Sequence, residues 1–299
     1  MEKKTFITIA FAAVIMMSCG QRRVESTPIT TETRTPEEEE AIERLADTND
    51  ESARAEVYGA SEGTSKTSDS YSQKGLEVPA PLTGVSEQVL TRTAYTVSYN
   101  KDTRLPNWVA WHLTSEHTSG PYSREGKKFE EDTQVKGPRA DNWDYYNSGY
   151  DRGHMCPAAD NKWSDRAMTE SFLYSNACPQ VHSLNAGDWQ EMETQCRKWA
   201  QRYGDIYIVC GPILYNTSHK TIGSNKVVVP EAFFKVVLCT NGEPKAIGFI
   251  YKNNDSNRPM GDYVNTVDEV ERITGIDFFP SLPDDIENKI EATCSLANW

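Results

Sequence analysis

Three short segments concentrate the side chains able to do chemistry. They are Asp151-Arg152-Gly153-His154, then Asn176-Ala177-Cys178-Pro179-Gln180, then Asn185-Ala186-Gly187-Asp188-Trp189, with Glu193 and Arg197 further along. Phosphodiester hydrolysis needs a group that deprotonates water, a cation that neutralises charge on the phosphoryl and leaving oxygens, and donors that hold the phosphate. The three segments can together supply all of these. An imidazole titrates near neutrality, so His154 is a candidate base. Each residue taken singly also has an ordinary structural role. An isolated His is more often structural, Glu193 and Arg197 are spaced for an ion pair on one helix, and Asn185 before a helix suits an N-cap. It is the joint occurrence that favours chemistry.

The elements that must position these residues can be read from periodicity. TAYTVSYN and WVAWHLT alternate like strands, and a loop-rich stretch from Ser115 to Tyr150 follows. FLYSNACPQ reads as a strand. NAGDWQEMETQCRKWAQRYG reads as a helix ended by Gly204, with Trp189, Met192, Cys196, Trp199 and Tyr203 on one buried face. DIYIVCGPIL, the runs in KVVVPEAFFKVVLCT, and KAIGFIYKN supply further strands, the last two joined by a turn at Asn241-Gly242-Glu243-Pro244. Thr266 and Glu269 form a capping box for a helix stopping at Gly275, and DDIENKIEATC supplies a final helix. Strands and helices at irregular intervals argue for an α+β domain, an antiparallel sheet core with flanking helices.

The N-terminal third is different material. Lys3 and Lys4 precede an apolar run from Thr5 to Met17 and then Ser18-Cys19-Gly20, an export signal too short to span a bilayer. It resembles a bacterial lipobox, with Met16 where Leu is commonest. That predicts a signal over 1–19, lipidation of Cys19, and an exported domain anchored by lipid to a bacterial membrane. A cleaved signal that discards Cys19 and an uncleaved anchor are the alternatives. Residues 20–90 are polar and nearly free of aromatic side chains, which predicts a disordered tether and a folded domain over 91–299. Of the formal net charge of −13, the signal carries +1 and the tether −8, leaving −6 for the domain. A domain gripping nucleic acid by charge alone is usually basic, so any phosphate-binding surface must be a local patch. Lys127, Lys128, Lys136, Arg139, Arg152, Arg166 and Arg197 are its candidates. Six of the seven Cys lie beyond residue 150, an even number consistent with disulfides in an exported domain.

On the three segments, the chain resembles the DNA/RNA non-specific endonuclease family, the sugar-nonspecific nucleases with a ββα-metal site. Its D-R-G-H signature is present as Asp151-Arg152-Gly153-His154, and its second signature is matched by Asn176, Pro179, Gln180, Asn185, Trp189 and Glu193. The resemblance spans roughly residues 90 to 285. It implies that His154 is the general base and that Asn185 is the direct protein ligand of a divalent cation, Mg²⁺ or Mn²⁺. Glu193 would hold waters of that cation, Asn176 would position neighbouring groups, and Arg152 would sit beside the phosphate. Arg197 and, less directly, Arg124 in SREGKKFEED would bind substrate, Arg124 with Phe129 and Asp132 following at one residue more than the usual spacing. DNA and RNA are the implied substrates, cut without sequence preference. Cys156 and Cys178 each lie two residues beyond an implied site residue, and so are expected to bridge; both as buried thiols, or paired with other cysteines, are the alternatives. Of the other histidines His112 reads as structural and His117, His182 and His219 as loop residues, with only His182, close to Asn185, a candidate for touching the site. A tethered binding protein of the same fold that has lost the chemistry, and a phosphoesterase acting on small substrates, remain as rival functions.

Overall fold

The computed structural model describes residues 75–299. The expected signal, the expected lipidation at Cys19 and most of the expected tether lie outside the described residues. The core is one seven-stranded sheet in the order β1-β2-β3-β6-β9-β10-β11, antiparallel at every step. Its strands are β1 (Gln88–Thr91), β2 (Thr96–Asn100), β3 (Leu105–Thr114), β6 (Asp205–Ile213), β9 (Ala232–Cys239), β10 (Lys245–Lys252) and β11 (Val264–Asn265). Two small two-stranded sheets stand apart from it, β4 (Asp151–His154) with β5 (Ala177–Gln180), and β7 (Thr221–Ile222) with β8 (Val227–Val228). The described α-helices are α1 (Asn142–Tyr145), α2 (Asp165–Ser171), α3 (His182–Ala186), α4 (Asp188–Tyr203), α5 (Val267–Thr274) and α6 (Asp284–Glu291). The expected α+β architecture is the one found.

Both faces of the sheet are covered, which is why AFFKVVLC in β9 is buried at every position. Side chains alternate across a strand. Phe233, Val237 and Cys239 join the layer that holds Trp189, Met192 and Trp199 of α4, while Ala232, Phe234, Val236 and Leu238 join the opposite layer with Val267, Val270 and Ile273 of α5. The helix ends follow their sequence signals. Gly204 closes α4 at φ 95°, and the Thr266 hydroxyl accepts the Glu269 N–H at 3.1 Å at the start of α5.

Three expectations change. The domain does not begin at residue 91. Leu76 is fully buried among α5-side residues, the Ala80 N–H donates to the Asp277 carbonyl at 3.0 Å, and Glu87 accepts from both the Leu82 N–H and the Ser98 hydroxyl. LEVPAPL carries enough apolar surface to cover a sheet face, so residues 76–90 belong to the fold. Asn185 is no N-cap either, because it lies within α3, and Gly187 occupies the cap position of α4. Finally, Cys156 and Cys178 are free thiols, as are the other four described cysteines. Because β4 and β5 run antiparallel, moving two residues past His154 and two past Asn176 leads in opposite directions. Cys178 therefore pairs with Gly153 and not with Cys156, which lies beyond the end of β4.

Candidate active site

The β4–β5 pair brings two of the chemistry-bearing segments together. Gly153 faces Cys178 and His154 faces Ala177, and the Met155 N–H continues the contact onto the Asn176 carbonyl at 2.9 Å. The glycine of the D-R-G-H segment is dictated by packing, since a Cβ on Gly153 would stand 2.1 Å from Gln180 Oε1. At the end of β4 the Trp189 indole N–H donates to the His154 carbonyl at 3.2 Å, fixing the strand to α4. Glu193 and Arg197 follow Trp189 at one and two helical turns, so they rise on the same side as the strand end.

The result is a cavity of about 690 Å³ lined by Arg124, Phe129, Arg152, His154, Asn185, Glu193 and Arg197 together with Lys162 and Gln190. Six side chains expected from sequence to serve one reaction thus meet in one place. The His154 ring is packed between Phe129, 4.7 Å between centroids, and Phe172, edge-on at 4.9 Å, and its Nε2 has no hydrogen-bond partner among the described residues. Burial, helped by the Arg124 charge, pushes its pKa down to about 3. The imidazole is therefore neutral across the physiological range, the state required of a base. Burial pushes the Glu193 carboxyl up to about 7, opposed most strongly by the charge of Lys235. Asn185 Nδ2 donates to Asp151 Oδ2 at 2.8 Å. A carboxylate only accepts, so the amide must present its NH₂ to Asp151, which leaves Oδ1 for the cavity that Asn185 lines.

The sequence profile of the DNA/RNA non-specific endonuclease family matches residues 72–285. The chain belongs to this family. It is 37% identical over 221 residues to the mitochondrial nuclease EXOG of Xenopus laevis, covering 69% of this chain and 61% of that relative, so it spans about three fifths of the relative's length. It is 33% identical over 215 residues to mitochondrial endonuclease G of Bos taurus, covering 67% and 72% of the two chains. Among solved structures, a chain of the EndoG/EndoGI complex superposes with a TM-score of 0.63 at 29% identity, covering 66% of this chain and 87% of the other.

For a member of this family, the placement of the remaining side chains is informative. Arg152 is held by the Tyr174 hydroxyl at 3.0 Å and by Asn142 Oδ1 at 2.8 Å, with its guanidinium 5.5 Å from the Tyr145 ring centroid. Arg124 sits 5.8 Å from the Phe172 ring centroid. Asn176 does not reach the cavity. It is fully buried, accepts the Cys156 N–H at 2.9 Å and donates to the Cys156 and Ser171 carbonyls, so it is a positioning residue and no catalytic one. The ion pair that was the structural alternative for Glu193 and Arg197 is absent among the described residues, because Arg197 pairs with Asp160 at 3.0 Å. Of the expected basic patch, Lys127, Arg139 and Arg166 are spent on Asp165, Glu131 and Glu170. The basic side chains that line the cavity are Arg124, Arg152, Lys162 and Arg197, the last of them paired with Asp160.

Sequence reading assigned no role to three contributors. Asp151 orients Asn185 and also contacts His182 Nδ1 at 2.7 Å, so His182 reaches the site only through Asp151. Asp160, 3% exposed, anchors Arg197 and accepts the Trp111 indole N–H at 3.1 Å. Lys235 lies fully buried beneath Trp189. A lone Lys in AFFKVVLC was the available signal, since lysines are almost never fully buried without a reason.

Proposed function

We propose that this chain is a metal-dependent endonuclease that hydrolyses DNA and RNA phosphodiester bonds without sequence preference. The observation that carries the reading is the meeting of His154, Asn185, Glu193 and three arginines in one cavity. Arg124, Arg152 and Arg197 offer planar donors to phosphate oxygens, and contact with phosphates carries no base information, hence the tolerance of sequence. His154 takes the proton of the attacking water. Asn185 through Oδ1, with Glu193 holding a coordinated water, would bind the cation, and this all-oxygen donor set suits Mg²⁺ or Mn²⁺. When bound, such a cation neutralises charge on the phosphate and on the departing 3′ oxygen. The expected products carry 5′-phosphate and 3′-hydroxyl ends. A tethered binding protein without activity would have no use for a base held neutral beside such a donor set.

The test is cleavage of supercoiled plasmid and of RNA by the wild-type protein and by His154→Ala, each with and without EDTA. Both substrates should be cut, EDTA should stop the reaction, and the variant should lose on the order of 10² to 10⁴ in rate. A variant at wild-type rate would overturn the assignment. We also propose, from the sequence alone, that Cys19 carries a lipid that tethers an exported domain. Labelling with a palmitate analogue in a bacterial host should mark the wild type and spare Cys19→Ala; equal labelling of both rejects the anchor.

A further inference from the structure

The sheet face opposite the cavity is covered by α5 and α6, which bury Val267, Val270, Ile273 and Ile290 in one apolar layer. Above that layer three carboxylates converge from the two helices. One oxygen from each of Asp268, Glu271 and Glu291 lies within 4.8 Å of the other two. Glu291 is 5% exposed, and its Oε1 is buried with no hydrogen-bond partner. Glu271 accepts the Phe278 N–H at 2.6 Å, and Asp268 is exposed. None of the three pairs with a Lys or Arg among the described ion pairs. Burial raises the carboxyls of Glu271 and Glu291 above the usual range, and for Glu291 the neighbouring charges of Glu271, Glu287, Asp268 and Asp277 raise it further.

A buried carboxylate oxygen without a partner is costly, and two more carboxylates beside it make it costlier. A hard cation removes both penalties at once. We propose that Asp268, Glu271 and Glu291 bind Ca²⁺ at a structural site that clamps α6 to α5. Ca²⁺ takes oxygen ligands at 2.3–2.6 Å, so ligands on opposite sides stand up to about 5 Å apart, against about 4 Å for Mg²⁺. Oxygens that all lie within 4.8 Å of one another fall inside the span of a Ca²⁺ shell. The exposed Asp268 leaves the site open to water, which completes the coordination.

The site is separate from the cavity, whose helix α4 packs on the other face of the sheet. It does not depend on the function proposed above. Its consequence is local order: the segment between α5 and α6 buries Phe278, Phe279 and Leu282, and Asp277 holds Ala80 of the N-terminal segment.

The experiment is thermal unfolding of the full chain in EDTA and in CaCl₂, in an Asn185→Ala background that removes the cavity's direct cation ligand. Ca²⁺ at a hundredfold excess over Kd should raise Tm by about 5 °C or more. Glu291→Gln should abolish that rise and should melt higher than its parent in EDTA, because the amide keeps the shape and removes the cost of neutralising a buried carboxyl. Asp268→Asn, at an exposed position that leaves packing untouched, should weaken the Ca²⁺ dependence at least tenfold. With Asn185 intact, Glu291→Gln should keep the wild-type rate of nucleic-acid cleavage. No Ca²⁺ effect in the parent, or an equal Ca²⁺ effect in both variants, overturns the proposal and leaves a carboxyl proton as what neutralises the cluster.

Discussion

The Lys235 ammonium stands 4.3 Å from the centroid of the Trp189 ring and has no hydrogen-bond partner among the described residues. The same Trp189 holds the His154 carbonyl, so a buried charge and the candidate base share one indole. Trp111, 5.3 Å away on the Lys235 side, completes an aromatic bed that favours the cation over an apolar void.

This arrangement predicts a pH effect. Lys235 opposes the rise of the Glu193 carboxyl, which burial has brought to about 7. A reaction needing ionised Glu193 gains rate as pH rises through about 7. Lys235→Met removes the opposing charge, so the midpoint of the acid limb should move to higher pH while the plateau changes less. Rate against pH for the two proteins checks this, and an unmoved midpoint would show that Lys235 serves packing alone.

Asp151 should behave as a positioning residue. Asp151→Ala frees the Asn185 amide to rotate, and loss of such a supporting contact typically costs 10 to 100-fold in metal affinity. The expected result is a metal requirement raised by about that factor, with most of the rate restored at saturating cation. A rate loss that no amount of Mg²⁺ or Mn²⁺ restores contradicts the role.

His154 also makes the fold acid-sensitive. In the unfolded chain its imidazole protonates near 6.5, whereas the folded protein holds it neutral to about 3. Unfolding therefore takes up a proton between those values. The group's contribution is full above about 6.5 and is lost as pH falls toward about 3. His154→Asn should lose less stability than the wild type between pH 7 and pH 4.5 in urea titrations. Equal losses would place the imidazole in contact with solvent.

The N-terminal boundary is tested by truncation. A chain starting at residue 75 should unfold at a higher urea midpoint than one starting at Leu90, which exposes the apolar surface under Leu76 and loses the Ala80 and Glu87 hydrogen bonds. Burying a Leu alone is worth roughly 1.5–3 kcal/mol, so a clear drop in urea midpoint is expected. Identical midpoints for the two truncations would return residues 76–90 to the tether.

The sequence by itself determined the family, the long helix that carries Glu193 and Arg197, and most of the cavity: His154, Arg152, Arg124, Asn185, Glu193 and Arg197 were all legible, whereas FLYSNACPQ is a strand only over Ala177–Gln180 and the short helix holding Asn185 was not foreseen. The cavity residues are legible because reactive side chains at fixed spacing are a local pattern, and because alternation and helical periodicity are set by neighbours a few positions away. Tertiary structure decided what those side chains do with their charges. Arg197 turns to Asp160, 37 positions away, and leaves Glu193, four positions away, unpaired and buried enough to hold a proton near neutrality. Asn176 is drawn inside by carbonyls rather than into the cavity, and Cys156 and Cys178 slide apart because two antiparallel strands carry them in opposite directions. Lys235 acquires its place only when β9 is covered on both faces. Each of these depends on which distant surfaces meet, and burial and partner geometry at such meetings are properties of the packed fold that no local spacing encodes.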